Sequence, residues 1–375
     1  MHHRPVVFFY SICIVLFAVE SISAQTLQMN ILCETPLAVN ESSGLENGPN
    51  GCFWTMNDSD NPSQIFCIDT LGGIERTVSV IGDPNTDWED LAKDDLGNLY
   101  IGNFGNNELD RQDLRIVKIP SIDTCAGTTY VSDTISFSYP DQYDFPPSGT
   151  YGNFDMEAFF WYQDSLHLFS KDRSNPSTGY TKHYTLPTTQ GTYTAILKDS
   201  LFTDHNSFIF STTAADISED GQSVVLLNTD RIWLCRNYTG TDFFGGMVSE
   251  LMITNFSQKE GICFRNGHLY ISDERSFGLG GMLYRVHPDI FVTVDEKDLH
   301  LDVKTVYDYN QNLVEINVAN ADQISWELFS TNGKLIQTGT AENTIQASTF
   351  KKRLNGLYAI VLRTELGSTS MLIKL

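Results

Sequence analysis

Five times along the chain, a small or acidic residue is followed 13–14 positions later by a polar one. The pairs are Ser43 with Asn57-Asp58, Glu89 with Asn103, Glu157 with Lys171, Asp216 with Asn228-Thr229, and Glu260 with Asp273-Glu274. Carboxylates and amide oxygens without clustered His or Cys are donors for a hard cation. Calcium, which takes about 6–8 oxygens, suits them better than zinc or copper. On that reading Glu89, Glu157, Asp216, Glu260, Asp273 and Glu274 are candidate calcium ligands, and Asn57, Asp58, Glu89, Asn103, Glu157 and Lys171 are candidate contacts for a bound ligand. A second reading gives the same residues to the fold: Asp and Asn cap turns, and a Glu at the start of a strand accepts backbone N–H groups. Lys171 could also neutralise Glu157 and remove the need for an ion. Both readings stand at this level.

Familiar catalytic signatures are missing: the sequence has no G-x-S-x-G, G-x-x-x-x-G-K-[ST] or H-E-x-x-H. Adjacent carboxylates such as Glu89 with Asp90, or Asp273 with Glu274, could do acid–base work on a glycoside or phosphoester. Neighbours in a strand point to opposite faces, so each pair is expected to offer one carboxylate to a common site. His167 and His268 fall in strand-like segments, where a packed or solvated histidine is the expected role.

The elements that must position these residues are strands. Residues 52–56, 114–117, 223–227 and 268–271 are short runs of β-branched, aromatic and aliphatic side chains bounded by turn residues, and no long amphipathic helix interrupts them. Each pair above flanks a strand–turn–strand unit, and a hairpin returns both members to one edge. The unit openings recur after 46, 68, 59 and 44 residues, and a four-stranded propeller blade needs about 40–50. The expected fold is therefore all-β: a β-propeller of five blades, or six if an insertion hides a degenerate one. Residues 27–33 would complete the last blade and close the ring. In such a ring the paired positions crowd one mouth of the central channel. A β-sandwich over the same residues leaves the repeat unexplained.

Charge divides the chain. Residues 25–294 carry 15 basic and 36 acidic side chains, a net of −21, whereas residues 295–375 carry 8 and 10. The balance excludes nucleic acid as a partner, because phosphate neutralisation needs a basic footprint. At the N-terminus, Arg4 precedes an apolar run over residues 6–19, with Ser21, Ser23 and Ala24 after it. This is the pattern of a secretory leader cleaved near Ala24, and the run is too short to span a bilayer. No other stretch could form a transmembrane helix. Six cysteines remain after residue 24, an even number that an exported protein can oxidise. Cys52 and Cys67 flank a turn and could face each other across two strands; buried free thiols are the alternative.

After residue 294 the pattern changes to alternating strands over about 75 residues, with Asn332-Gly333 and Asn355-Gly356 as turns. A small β-sandwich is expected. The organisation is then a leader at 1–24, a propeller at 25–294, a linker at 295–302 and a C-terminal domain at 303–375.

Two resemblances add to this reading. Ser43-Gly44-Leu45, Asn57-Asp58-Ser59, Asp87-Trp88-Glu89-Asp90 and Asn103-Phe104-Gly105-Asn106-Asn107 resemble a recurring series in exported bacterial β-propellers of undefined activity. The resemblance covers about residues 40–290. It departs at Asp60, where those proteins carry Gly, and at Asn103 and Asn106, where they often carry Asp. The acid-per-blade layout is more distantly similar to calcium-dependent propeller hydrolases such as phytases and lactonases. Ser330-Thr331-Asn332-Gly333-Lys334, Leu354-Asn355-Gly356-Leu357-Tyr358 and the terminal Met371-Leu372-Ile373-Lys374-Leu375 resemble the C-terminal sorting domain of the type IX secretion system. Val306-Tyr307-Asp308-Tyr309-Asn310 stands where that domain often reads Y-P-N-P. The resemblance implies a two-membrane bacterium, passage through the periplasm, recognition of residues 303–375 by the secretion machinery, and release or anchoring at the outer surface. The expected function is a secreted or cell-surface binding protein with an acidic channel mouth; the alternative is a calcium-dependent hydrolase of phosphoesters, lactones or glycans.

Overall fold

The computed structural model describes residues 25–204, 211–253, 257–276 and 279–286, together with strands between residues 303 and 374. The expected leader and linker lie outside the described residues. The chain divides into two compact units, residues 1–292 and 293–375.

The first unit is a five-bladed β-propeller. Blade 1 is built from Ser42–Asn47, Phe53–Asn57, Gln64–Ile68 and Ile74–Ile81, and blade 2 from Trp88–Lys93, Leu99–Asn103, Arg115–Ile119 and Asp133–Ser138. Blade 3 comprises Asp155–Tyr162, Ser165–Lys171, Tyr180–Pro187 and Ile196–Phe202, and blade 4 Ala214–Ile217, Ser223–Leu227, Arg231–Arg236 and Met247–Ile253. Lys259–Arg265, His268–Asp273 and Met282–Val286 form three strands of blade 5. The fourth is Met29–Glu34, from the other end of the propeller sequence, which pairs antiparallel with Met282–Val286. The first strands of the blades pack against one another in cyclic order around the channel. Ring closure by residues 27–33, expected from the sequence, is thus realised, and closure leaves no open sheet face.

Three blades also carry a parallel fifth strand at the rim. Gly127–Tyr130 joins blade 1, Gly191–Thr194 joins blade 2 and Gln25–Leu27 joins blade 4. Each immediately precedes in sequence the fourth strand of the following blade, so these pairs of blades are tied at their outer edges.

Each blade is covered on both faces, which is why its strands read as near-continuous apolar runs. Five clusters fill the five seams between blades. Trp54 and Trp88 sit between blades 1 and 2, Tyr100, Phe159 and Tyr184 between 2 and 3, and Phe160, Phe169 and Phe243 between 3 and 4. Leu227 and Ile271 lie between blades 4 and 5, and Leu45, Phe53 and Leu283 between 5 and 1. Burial of each such side chain contributes about 1.5–3 kcal/mol, so the seams bind the ring together. Cys52 and Cys67 form a disulfide across the middle strands of blade 1, whereas Cys33, Cys125, Cys235 and Cys263 are free. Among the described residues no helix is long and apolar enough to cross a membrane.

In the second unit, Val303–Asp308, Leu313–Val318 and Thr344–Gln346 form one sheet. Ile324–Ser330, Leu335–Ala341, Leu357–Thr364 and Gly367–Lys374 form another. Ile324, Trp326 and Leu328 are buried while Ser325 is exposed, the alternation of a sheet with one covered face.

Candidate functional site

One mouth of the propeller channel holds a cavity of about 90 Å³ lined almost entirely by polar side chains. Blade 1 contributes Glu41 and Asp58, blade 2 Glu89, blade 3 Glu157, Lys171 and Arg173, and blade 5 Glu260 and Glu274. Among the described residues blade 4 contributes none.

The three glutamates arrive by one local device. In blades 2, 3 and 5 the first strand is out of register with its partner by one residue, and the extra residue is Glu89, Glu157 and Glu260 in turn. A β-bulge leaves its extra residue unpaired and re-aims the side chain. Here it turns each glutamate into the mouth. Gly105 leaves the room: a Cβ there would lie 2.1 Å from Glu89 Oε1 and 2.5 Å from Asp87 Oδ2.

The structure separates the residues that the sequence had grouped. Asp58, Glu89, Glu157, Lys171, Glu260 and Glu274 meet at the cavity. Asp216 does not: it pairs with Val225, three residues short of Asn228, and therefore lies deeper along the channel. Its carboxylate accepts the backbone N–H of Ile217 at 2.7 Å and of Phe264, in blade 5, at 2.6 Å. Asp90 braces the ring in the same way, accepting Leu91 N–H at 2.8 Å and Phe159 N–H, in blade 3, at 2.9 Å. Asp273 is also withdrawn from the mouth. It is fully buried and accepts hydrogen bonds from Met282 N–H and Tyr284 O–H at 2.7 Å, from Lys259 Nζ at 3.2 Å and from Ser257 O–H. Each adjacent pair, Glu89 with Asp90 and Asp273 with Glu274, thus sends one carboxylate to the cavity.

Asn57 and Asn103 stand behind the wall. Asn57 Oδ1 accepts Glu41 N–H at 3.2 Å, and Asn103 Oδ1 accepts Asp87 N–H at 3.3 Å. Their amide nitrogens are anchored on Ala38 O at 2.8 Å and on Asp83 at 2.7 Å. They position acidic residues and do not line the cavity. His167 is buried, as expected, in the seam between blades 3 and 4.

Charge in the mouth is unevenly matched. Glu157 is paired with Lys171 at 3.0 Å and with Arg173 at 3.2 Å, and Asp155 with Arg173 at 2.6 Å. Asp58, Asp87 and Glu89 each offer a carboxylate oxygen within 4.8 Å of the others. Among the described residues no Lys or Arg forms an ion pair with any of the three. Glu89 is 5% exposed. Burial, and then the nearby Glu157, Asp58, Asp87 and Asp155, push its carboxyl well above the usual range. Burial with Asp58 and Asp155 lifts Asp87 to about 6 against the more distant Arg111 and Arg173, and burial with Glu157 lifts Asp155 to about 7 despite Arg173. Burial raises Glu260 to about 8 against the pull of Lys171. Burial works against the charge on Lys171, but Glu157 and Glu260 outweigh it and hold the ammonium above its ordinary range.

The sequence reading had not selected Asp87, Glu41 or Arg173. Asp87 and Asp155 both stand two residues before a bulged glutamate, and Arg173 two residues after Lys171; that local spacing was the available signal. Calcium–oxygen distances of about 2.3–2.6 Å place two ligands of one ion up to about 5 Å apart. The Asp58–Asp87–Glu89 group meets that limit, and its all-oxygen donors fit a hard cation.

No protein-family model matches the chain, and no curated protein matches it in sequence. Solved structures similar to it include the PQQ-bound aldose sugar dehydrogenase of Streptomyces coelicolor, at 11% identity and a TM-score of 0.43, over 69% of this chain and 97% of that one. A gluconolactonase from Xanthomonas campestris is similar at 10% identity and a TM-score of 0.37, over 70% and 86%. The extracellular domain of BT4673 from B. thetaiotaomicron, described as a one-component system, is similar at 10% identity and a TM-score of 0.33, over 93% and 59%.

Proposed function

We propose that this chain is an exported binding protein that holds calcium at Asp58, Asp87 and Glu89 and captures an oxygen-rich ligand through the ion's remaining coordination positions. The carrying observation is the trio's lack of direct ion pairs: Glu157 and Asp155 beside it are paired with Lys171 and Arg173, while among the described residues Asp58, Asp87 and the buried Glu89 form no ion pair and feel Lys171, Arg111 and Arg173 only at longer range. Three carboxylates supply fewer oxygens than calcium takes, so positions remain for water and ligand. The test is calorimetric titration of calcium into chelator-stripped protein, with melting temperature followed in parallel. Saturable binding and a raised melting temperature are expected, both lost in Glu89→Gln. Absence of binding in the unaltered chain would overturn the reading.

A second reading, hydrolysis of phosphoesters, lactones or glycans, draws support from Glu260. Its carboxyl is pushed up to about 8 and shares the cavity with Asp58 and Glu89, as a general acid would. Calcium-dependent turnover of p-nitrophenyl phosphate or a δ-lactone, lost in Glu260→Gln with calcium binding intact, would select it. The export route through residues 303–375 is part of the proposal and rests on the motifs at 330–334, 354–358 and 371–375. A chain ending at residue 302 should be retained in the periplasm.

A further inference from the structure

A larger concavity lies away from the channel. It has a volume of about 820 Å³, and blade 3 strands Tyr180–Pro187 and Ile196–Phe202 form one wall while the segment over residues 141–154 forms the other. Small-ligand sites commonly span about 300–1,000 Å³. Three tyrosines face water around it: Tyr143 is 82% exposed, Tyr151 73% and Tyr180 43%. Large aromatic rings grouped at an aqueous surface mark a contact site, because their burial elsewhere would be favourable.

The polar part of the lining is already fixed. Lys182 Nζ pairs with Asp141 at 2.7 Å and lies 4.0 Å from the centre of the Phe154 ring. Asp141 also accepts Tyr184 O–H at 3.0 Å. Tyr180 is set edge-on to Phe202 with ring centres 5.3 Å apart. The ordering of these groups therefore costs little when a ligand arrives. Lys182 and Lys198 balance Asp141 and Asp199, so the cavity is formally neutral on a chain of net charge −23.

We propose that this cavity binds a neutral oligosaccharide. A pyranose ring has C–H groups on a flat face and hydroxyls at its rim. Exposed tyrosine rings match the face. Asp141 and Asp199 supply acceptors and Lys182 and Lys198 donors, so that each hydroxyl can both give and receive a hydrogen bond. Charge balance gives no preference for an anionic or cationic sugar. The site is separate from the channel mouth and needs no metal.

Calorimetric titration of the full chain with maltotetraose, cellotetraose, xylotetraose and mannotetraose, each to about 10 mM in EDTA, tests it in the millimolar range. At least one should bind. The double substitution Tyr143→Ala with Tyr151→Ala should weaken it at least about tenfold, with an unchanged melting temperature because both rings are exposed. The proposal is overturned if none binds, if the double variant binds as the unaltered chain does, or if tetragalacturonate binds more tightly than every neutral sugar. It is also overturned if the sugar signal needs calcium or disappears in Glu89→Gln, since the ligand would then occupy the mouth. Calcium titration reads the mouth alone, so the two readings fail separately.

Discussion

Gly105 lies so close to Glu89 that a methyl group on its Cα would sit 2.1 Å from the carboxylate oxygen Oε1. The same methyl would come within 2.5 Å of Asp87 Oδ2. A backbone position without a side chain thus sets how near two acidic groups can stand to each other.

Gly105→Ala should therefore move Asp87 and Glu89 apart. Overpacking of this kind costs about 1–3 kcal/mol. The larger expected effect is on the cation: the rise in melting temperature on adding calcium should disappear, while the metal-free protein still unfolds cooperatively. Thermal melts with and without calcium check it, and a full calcium response in Gly105→Ala would rule out the trio as the site.

Asp90 and Asp216 predict a different outcome. Each carboxylate accepts two backbone N–H groups, one from its own strand and one from the following blade. Replacement by Ala leaves both donors without partners, at about 1–3 kcal/mol apiece. Asp90→Ala and Asp216→Ala should each lower stability by about 2–6 kcal/mol in urea titrations, with calcium affinity unchanged in the folded fraction. Asp90→Asn keeps an acceptor oxygen and should lose less. A loss of calcium binding in Asp216→Ala at full stability would return Asp216 to the mouth.

These contrasts show where sequence stops. The strands, the hairpin spacing, the five blades and the closing strand were legible because short apolar runs and the turn residues between them report local geometry. Cys52 facing Cys67 followed from the turn between them. Which glutamates reach the mouth was not legible, because a bulge depends on pairing register, and Glu89 and Asp90 look equivalent on an unpaired strand. Asp216 misled for the same reason: it lies 12 residues before Asn228, against 14 for Glu89 and Asn103, and that shortfall places it deeper in the channel. The rim strands, such as Gly127–Tyr130, carry no signal of the blade they join, because their partner is set by the ring.

The mouth also predicts how pH acts on the metal-free protein. Asp87, Asp155 and Glu260 have folded-state values of about 6, 7 and 8, above their ordinary 3.8, 3.8 and 4.5. A raised carboxyl favours the folded state while it is protonated. Its contribution is complete below the ordinary value and is lost as pH rises through the folded value. In EDTA, stability from this source should fall between about pH 4 and pH 8. Calcium supplies the missing positive charge, so its stabilising effect should be larger at pH 8 than at pH 5. Equal calcium shifts at both pH values in thermal melts would contradict this account.

The His167–His183 pair works in the opposite direction. The two rings are buried, with Nδ1 of one 3.0 Å from Nε2 of the other. His183 stacks on Phe169, and His167 on Phe160. Burial lowers His167 from 6.5 to about 4, and burial together with His167 drives His183 well below its ordinary value. Protonation therefore favours the unfolded chain. The contribution to stability is complete above pH 6.5 and is lost as pH falls from there through about 4, amounting to about 3 kcal/mol for His167. Replacing both rings by Phe removes the titration and keeps the stacking. Urea titrations of His167→Phe/His183→Phe in EDTA should then show stability rising more steeply as pH falls from 6.5 to 5 than in the unaltered chain, where the histidines offset much of the gain from the carboxyls. If the two proteins trace the same slope below pH 6.5, the pair carries no proton linkage.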